Sequence, residues 1–594
     1  MKKSLTLLLA LVLIVGSLAG CSGNDNSSKS ESSKADSSKA ESSKAESSQA
    51  ADSSTAGEDH PWELLDPIDN TTGTLSVARS QYVEYPVADA GDIELDYWLP
   101  NANNIVNGRG TVQATDWAKN WQELTGIKAK FTSPTVGSEP EEFGVMTASS
   151  SLPDIVEWEW STQYTGGPAA AKEEGILIIL DEYISEYGAA ADTWQFLKDN
   201  PHLDKQVKND EGQYYTFPFV RGTKYLQCTS GPIIREDLFE SVGVKAEDLV
   251  TIDDWYNALV KLKEAGVEYP LSTQKWDNLM SLVLTAWGVR PNMYRDYDTG
   301  EVKYGYAEEG YKQCIETLTK WVDEGLVDPS LLNNEKNTVT QRIMTGTSAI
   351  TYGAGGGNLG TYIAEVNKAE AGTYVEGISF KAINFPVLNK GDVPHYAGAS
   401  YDFATTSKGS AVITADCEYP EIAAKFLNYN YSKAGHYFMN YGIEGETWEW
   451  VGDEATYTDK VMDYEANGWA NVAVAMANCG RANMSGPFAQ DPNYIFQYYA
   501  EPAQKEALYT WNDNQDSQKT LIPPVTMTQE ESSKYATLMA DIDTFVKSSY
   551  GEWFNRSKNV ADTWDSYIST LQGMGLADAI KLYQDAVDRY DARQ

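Results

Sequence analysis

Between Ser22 and Gly57 the chain contains no aromatic residue and no Val, Ile or Leu. The segment reads as pentads: SSKSE, SSKAD, SSKAE, SSKAE and SSQAA. Such a stretch buries too little apolar surface to offset the entropy of ordering its backbone, so it is expected to stay disordered. Its paired serines are also poor helix formers. It reads as a solvated tether, and the folding body runs beyond it, from about Pro61 to Gln594. At roughly 150 residues per domain, that body is several domains or one large multi-lobed unit. A hydrophobic share of 42% and an aromatic share of 12% suffice to build its cores.

Charge narrows the partners. The chain has 86 acidic and 46 basic residues and a net charge of −40. Nucleic-acid phosphates need clustered Lys and Arg, so nucleic acid is not an expected partner. Attachment to anionic lipid by charge alone is disfavoured on the same ground. Four His leave little for a His-rich metal site, and the five Cys stand singly without a C-x-x-C pair. No metal, cofactor or disulfide framework is expected.

Lys2 and Lys3 precede an apolar run from Leu5 to Val15, which ends in Leu18-Ala19-Gly20-Cys21. The run is shorter than the roughly 18 residues a transmembrane helix needs. Charge, apolar run and small residues make a secretory signal, and the Cys after them resembles the lipobox of bacterial lipoproteins. That resemblance implies a signal peptide over residues 1–20 and a lipid on Cys21. Residues 21–60 then tether the body to the extracellular face of the cell membrane.

The body alternates strand and helix signals. Ile93–Leu99 and Ile127–Phe131 read as strands, as do Pro153–Val156 and Ile176–Leu180. Helices are expected over Asp116–Leu124, with Asp116 as N-cap, from Asp181, over Asp253–Gly266 and over Glu308–Glu324. Asp296–Gly300 reads as a hairpin turn rather than a calcium loop, because the later Glu of an EF-hand is missing. Beyond about Thr528 the pattern is mostly helical. The alternation predicts an α/β fold with mixed sheets flanked by helices.

Catalytic signatures are scarce. There is no P-loop, no G-x-S-x-G elbow and no H-E-x-x-H. Gly353–Gly357 is glycine-rich but lacks the following Lys and Ser/Thr. Carboxylate pairs such as Glu157/Glu159 occur, as they must by chance among 86 acids. The informative feature is 17 Trp and 37 Tyr. Several sit beside polar groups where a strand gives way to a loop, as at Trp158-Glu-Trp160, Trp276-Asp-Asn278, Tyr352-Gly353 and Tyr401-Asp402. Ligands of open α/β sheets bind at strand carboxyl ends, and flat rings beside carboxylates and amides suit sugars.

Several stretches resemble extracellular solute-binding proteins of family 1, the substrate receptors of ABC importers. They are Phe143–Val156 (FGVMTASSSLPDIV), Gly231–Asp237, Trp321–Asp328, Pro420–Leu427, Asn440–Glu446 and Asp578–Tyr590. Within that family the chain is most similar to large LipO-type lipoproteins labelled as aldouronate or oligosaccharide binders. Ser149-Ser-Ser151 departs from the family's Ser-Gly-Asp. The resemblance implies two α/β lobes with a ligand cleft at the hinge. Residues 61–220 plus 398–445 form the first lobe, and 221–397 plus 446–594 the second lobe with a helical C-terminal extension. Crossovers are expected near Phe217–Arg221 and Phe385–Gly398. The resemblance also implies ligand contacts at Trp158, Arg221, Trp276 and Tyr352, and the aromatic rings beside polar groups add Trp160, Tyr401 and Asp402 as candidates. Trp158 is the sharpest of these: its removal should weaken ligand binding and leave stability nearly unchanged. An arginine at 221 suits an anionic sugar.

The leading reading is a monomeric, non-enzymatic, lipid-anchored receptor that captures an oligosaccharide by lobe closure and delivers it to separately encoded ABC permease subunits. A surface glycoside hydrolase acting on related polysaccharides and a peptide or amino-acid binder remain as alternatives.

Overall fold

Leu95 and Tyr97 are fully buried on an extended backbone, while Glu94 and Asp96 face solvent. This is strand β1, Glu94–Trp98, in a computed structural model that describes residues 82–149, 151–368, 373, 376–401, 409–513 and 515–593. The signal peptide, Cys21, the pentad tether and Asp402 lie outside the described residues. β1 pairs in parallel with β2 (Lys128–Thr132) and with β3 (Ile155–Glu157). β9 (Ala411–Ile413) adds an antiparallel edge to β3, giving the order β2-β1-β3-β9. The helix Asp116–Thr125 drives Trp117 and Trp121 into the core of this first lobe. Its cap is Thr115, whose hydroxyl accepts from the Ala118 amide at 3.2 Å, and not Asp116 as the sequence suggested. Asp116 instead pairs with Arg109 at 2.9 Å.

The strand expected over Ile176–Leu180 is reduced to a single bridge at Leu177. Its amides divide between two partners: Ile178 donates to Ile413 and Leu180 to Tyr214, so the segment bends instead of following one ladder. Turns occupy the residues after Asp181, and the helix begins only at Ala191.

The second lobe is built on β7 (Ile350–Ala354), β4 (Ser230–Arg235) and β8 (Phe380–Ala382), in that antiparallel order. Helices Ile252–Glu264, Lys275–Val283 and Glu309–Asp323 cover it. A Thr251/Asp254 capping box starts the first of these. β5 (Met293–Arg295) and β6 (Val302–Tyr304) form the expected hairpin. At its turn the Asp296 carboxylate accepts from Thr299 and pairs with Lys303 at 2.8 Å. The C-terminal helices Gln529–Phe554, Val560–Gly573 and Leu576–Ala592 join this lobe, placing Ile542, Trp553 and Trp564 in one core with Trp255 and Trp321.

Residues 446–491, expected with the second lobe, pack on first-lobe elements instead. β10 (Trp448–Val451) and β11 (Glu454–Tyr457) form a hairpin over the helix Lys433–Tyr441. The helix Val472–Cys479 is almost wholly apolar and fills the space beside Trp117, whose indole N–H donates to Ala477 at 3.0 Å. Arg481 then reaches across to Glu157 at the end of β3, with its two nitrogens 2.6 and 3.1 Å from the carboxylate oxygens. Both side chains are almost fully buried, and Tyr97 donates a third bond to Glu157 at 3.0 Å. This pairing, not readable from spacing in the chain, draws the segment onto the first lobe.

Candidate functional site

Three chain passages run side by side where the lobes meet. Phe217 bridges Ala411 antiparallel, and Val220 bridges Ala489 in parallel. Val220 accepts from the Gln490 amide at 2.9 Å and donates to Phe488 at 3.0 Å. At Gly222 the passages come so close that a Cβ would lie 1.7 Å from the Gln490 carbonyl oxygen, so no side chain fits there. The expected first crossover, near Phe217–Arg221, is the passage held by these contacts. The partners that fix it, residues 488–490, were not anticipated. Beneath them Asp491 is buried among His436 at 3.0 Å, Tyr441 at 2.8 Å and the Asn493 amide at 2.8 Å. Burial alone would raise its pKa, but these partners outweigh burial and hold the carboxyl below its usual range.

Arg221 leaves this junction with one polar contact, from its guanidinium to Gln490 Oε1 at 3.2 Å, and lies 5.3 Å above the Phe219 ring. Its Nε is buried without a hydrogen-bond partner. Among the described residues no carboxylate pairs with it. Loss of surrounding water lowers its pKa, an effect only partly offset by Tyr494 and Tyr499. Tyr499 in turn presses on Gly355, where a Cβ would meet the ring at 2.8 Å, and Tyr498 does so on Gly356 at 3.1 Å. The glycine run after β7 is thus explained by aromatic close packing.

The same run borders a cavity of about 180 Å³ at the ends of β4 and β7. Gln274, Asn278, Lys336, Tyr352 and Asn358 are among its lining residues. Asn358 Oδ1 accepts from the Ala354 amide at 3.1 Å and its amide nitrogen donates to Tyr362 at 3.1 Å. Lys336 forms no ion pair among the described residues. Gln274 and Asn278 flank the start of the helix Lys275–Val283 at a four-residue spacing, on one face. Lys275 between them has φ 61°, a left-handed backbone uncommon for lysine. Behind the cavity Arg290 ties the second lobe to the return passage, donating to Ala397, to Ser517 and to Thr520. With no acidic partner and little water, its pKa falls to about 10.

The expected aromatic contacts fare differently. Tyr352 lines the cavity and is half-buried. Tyr401 lies near the return passage, its hydroxyl donating to Leu521 at 3.4 Å. Trp276 turns away from Gln274 and Asn278, because two residues along a helix reverse the face. It stacks on Tyr550 at 4.3 Å and is 3% exposed. Trp158 is 1% exposed, edge-on to Trp98 at 5.8 Å. Trp160 is 3% exposed, stacked on Tyr164 and hydrogen-bonded to the Val156 carbonyl at 3.3 Å. Both belong to a small core with Phe143, Tyr215 and Val412. Sequence reasoning found the ring positions but had no signal for which way a ring turns. The polar flanks of Trp276, spaced one helical turn apart, were the available clue to the cavity.

A larger groove of about 930 Å³ follows β8. Most of its charged groups are already paired: Asp516 with His395 and Lys519, Lys381 with Glu247, and Asp513 with Lys224, while Asp392 accepts from Asn389.

Packing of this kind sets the outcome for Trp158. Trp158→Ala should cost about 3–5 kcal/mol of stability in urea unfolding. Unchanged stability together with lost ligand affinity would restore the expectation drawn from the sequence.

Comparison with known proteins follows the same lines. A family model described as bacterial extracellular solute-binding protein matches residues 107–437, more than half of the chain. The chain is 21% identical over 487 residues to the fructooligosaccharide ABC transporter substrate-binding protein FusA of Streptococcus pneumoniae, covering 75% of this chain and 82% of that protein. Its fold is similar to that of the alginate-binding protein AlgQ2 (TM-score 0.63, 22% identity, 83% of this chain and 98% of that one). It is also similar to an HMO-binding, ABC-transporter-associated solute-binding protein from Bifidobacterium longum infantis (TM-score 0.66, 16% identity, 85% and 100%). With the crossovers, the two lobes and the matched span in agreement, the chain belongs to the bacterial extracellular solute-binding proteins.

Proposed function

We propose that this protein is the substrate receptor of an ABC importer and captures an oligosaccharide between its lobes. The observation that carries the reading is the cavity at the strand ends of the second lobe. There three amides, a tyrosine and an unpaired lysine converge, and at the junction of the passages stands Arg221, which has no acidic partner among the described residues. Amides and hydroxyls exchange hydrogen bonds with sugar hydroxyls, and the two free cations suit a ligand that carries carboxylate groups. Relatives of the same family named for fructooligosaccharide and alginate binding support the substrate class. Closure of the lobes about the three crossovers would complete the site, with Arg221, Tyr352, Gln274, Asn278, Lys336 and Asn358 as contacts. Tyr401, near the return passage, is a further candidate contact on the same reading. Glu157, one half of the carboxylate pair that a hydrolase would use, is held by Arg481, which favours a receptor over an enzyme.

Calorimetry with a panel of neutral and uronic-acid oligosaccharides tests this reading. It predicts one-to-one binding with the sugar recovered intact, and a two- to tenfold loss of affinity in Asn278→Ala, about 0.5–1.5 kcal/mol for a lost hydrogen bond. Shortened products, or no binding across the panel, would contradict it. The reading also includes a lipid anchor on Cys21, with permease subunits as partners at the membrane. Fatty-acid labelling should disappear in Cys21→Ala, and label that persists would remove the anchor.

A further inference from the structure

The C-terminal helices are rooted in the core of the second lobe, yet they also grip the first. The helix Leu576–Ala592 is tied to the β5–β6 hairpin of its own lobe: Gln584 accepts from the Val302 amide at 2.7 Å, and Asp591 pairs with Arg295 at 2.8 Å. From the end of this helix Arg589 and Arg593 reach Asp210, their Nε atoms 2.7 and 3.0 Å from its carboxylate oxygens. Asp210 belongs to the first lobe. It lies in a turn closed by a bridge between Lys208 and Tyr214, and Val207 and Tyr214 are part of the first-lobe core.

The grip is well made. The Arg593 side chain is 2% exposed, and it also donates to the Lys208 carbonyl at 2.6 Å and to the Thr526 hydroxyl at 2.9 Å. Arg589 is held in turn by Glu531, at 2.6 and 2.9 Å. A second row of contacts runs alongside: the Gly166 amide donates to Ser532 at 3.1 Å, Gln529 donates to Glu174 at 2.6 Å, and Lys205 donates to the Asp591 carbonyl at 3.0 Å. These links between the lobes are non-covalent, unlike the crossovers, so they can be made and broken.

Their distance from the hinge decides what closure does to them. Bridges at Tyr214, Phe217 and Val220 run the chain in extended form from the turn to the first crossover. At about 3.3 Å per residue, Asp210 lies roughly 15–25 Å from the crossover. A lobe rotation of about 15°, the scale of rigid-body switches, carries a point at that distance about 4–6 Å. Hydrogen bonds do not survive such a displacement. Every described residue that lines the polar cavity comes from the second lobe, so in this arrangement the first lobe has not closed over it.

We propose that Asp210, Arg589 and Arg593 form a latch that holds the two lobes in the arrangement described here and opens as they close on an oligosaccharide. The inference rests on the receptor reading above and adds a regulatory device to it. Opening the latch separates a buried arginine from its carboxylate, which is unfavourable. Only the fraction of molecules with the latch open is competent to close, so the measured affinity lies below that of the closed arrangement by that fraction.

Asp210→Ala and Arg589→Ala, made in the full chain, cut the latch from opposite sides. Each should raise the affinity for a calorimetrically verified oligosaccharide two- to tenfold. Each should also shift the radius of gyration measured without sugar toward the sugar-bound value of the unaltered protein. In the unaltered protein, sugar should speed amide hydrogen exchange over 205–213 and 586–593 at least threefold. If Asp210→Ala loses the exchange protection of β1, and with it the fold, Arg589→Ala carries the test, since that side chain is one-third exposed. Unchanged or weaker affinity in a folded variant would overturn the proposal. So would slower exchange at the latch on sugar binding, which would make the contact a fixed pivot. If no oligosaccharide binds the unaltered protein, the receptor reading fails by itself. The latch is then read from scattering without sugar, where superimposable curves for the variants and the unaltered protein would overturn it.

Discussion

Glu157 and Arg481 meet with both side chains withdrawn from water, and the first lobe is organised around that meeting. Burying a lone carboxylate or guanidinium is costly, and removing one partner of such a pair typically costs about 3–5 kcal/mol. Here Tyr97 donates to the carboxylate, Ser485 accepts from the guanidinium, and the Trp117 ring lies 4.7 Å beneath it. The charges are therefore paired and hydrogen-bonded in a single geometry. The consequence is positional: a segment more than 300 residues downstream of β3 is fixed against its end.

That position propagates to the cleft. Nine residues beyond Arg481, Gln490 pairs with the first crossover through Val220 and holds Arg221 by its guanidinium. Asp491 caps the following helix, Pro492–Tyr498, through the Asn493 amide. That helix brings Tyr498 and Tyr499 onto the glycines after β7. One buried pair on the first lobe thus leads, by a short run of contacts, to the arginine at the junction and to the border of the polar cavity on the second. Arg290 closes the opposite side by holding Ala397 and Thr520. The cations at 221 and 290 lack carboxylate partners among the described residues, an arrangement that is costly unless a ligand or the junction itself repays it.

Much of the fold was legible because period and capping are local. β1, β2, β3, the capped helix after Thr251 and the hairpin at Asp296–Gly300 all follow from alternation, caps and turn residues. What failed depended on partners distant in the chain. Ile176–Leu180 has strand composition, yet its two bonding partners lie in different places. Residues 446–491 could not be assigned to a lobe without the Glu157–Arg481 pairing. At the site, Tyr352 lines the polar cavity and Arg221 lies at the junction of the passages, where each remains a proposed contact. Trp158, Trp160 and Trp276 show the limit of that reasoning, because a ring beside a cleft and a ring beneath it share one local sequence. Gln274 and Lys336 were not singled out, and Asn278 only as a neighbour of Trp276, because polar residues at a helix start look like ordinary surface until a strand end is placed opposite them.

The central claim is that an oligosaccharide is held between two lobes that move about the three crossovers. Solution X-ray scattering with and without a saturating, calorimetrically verified oligosaccharide tests it most directly. The account predicts a smaller radius of gyration and a shorter maximum dimension with sugar bound, reversed when the sugar is dialysed away. Tight binding with superimposable scattering curves would contradict closure about these crossovers.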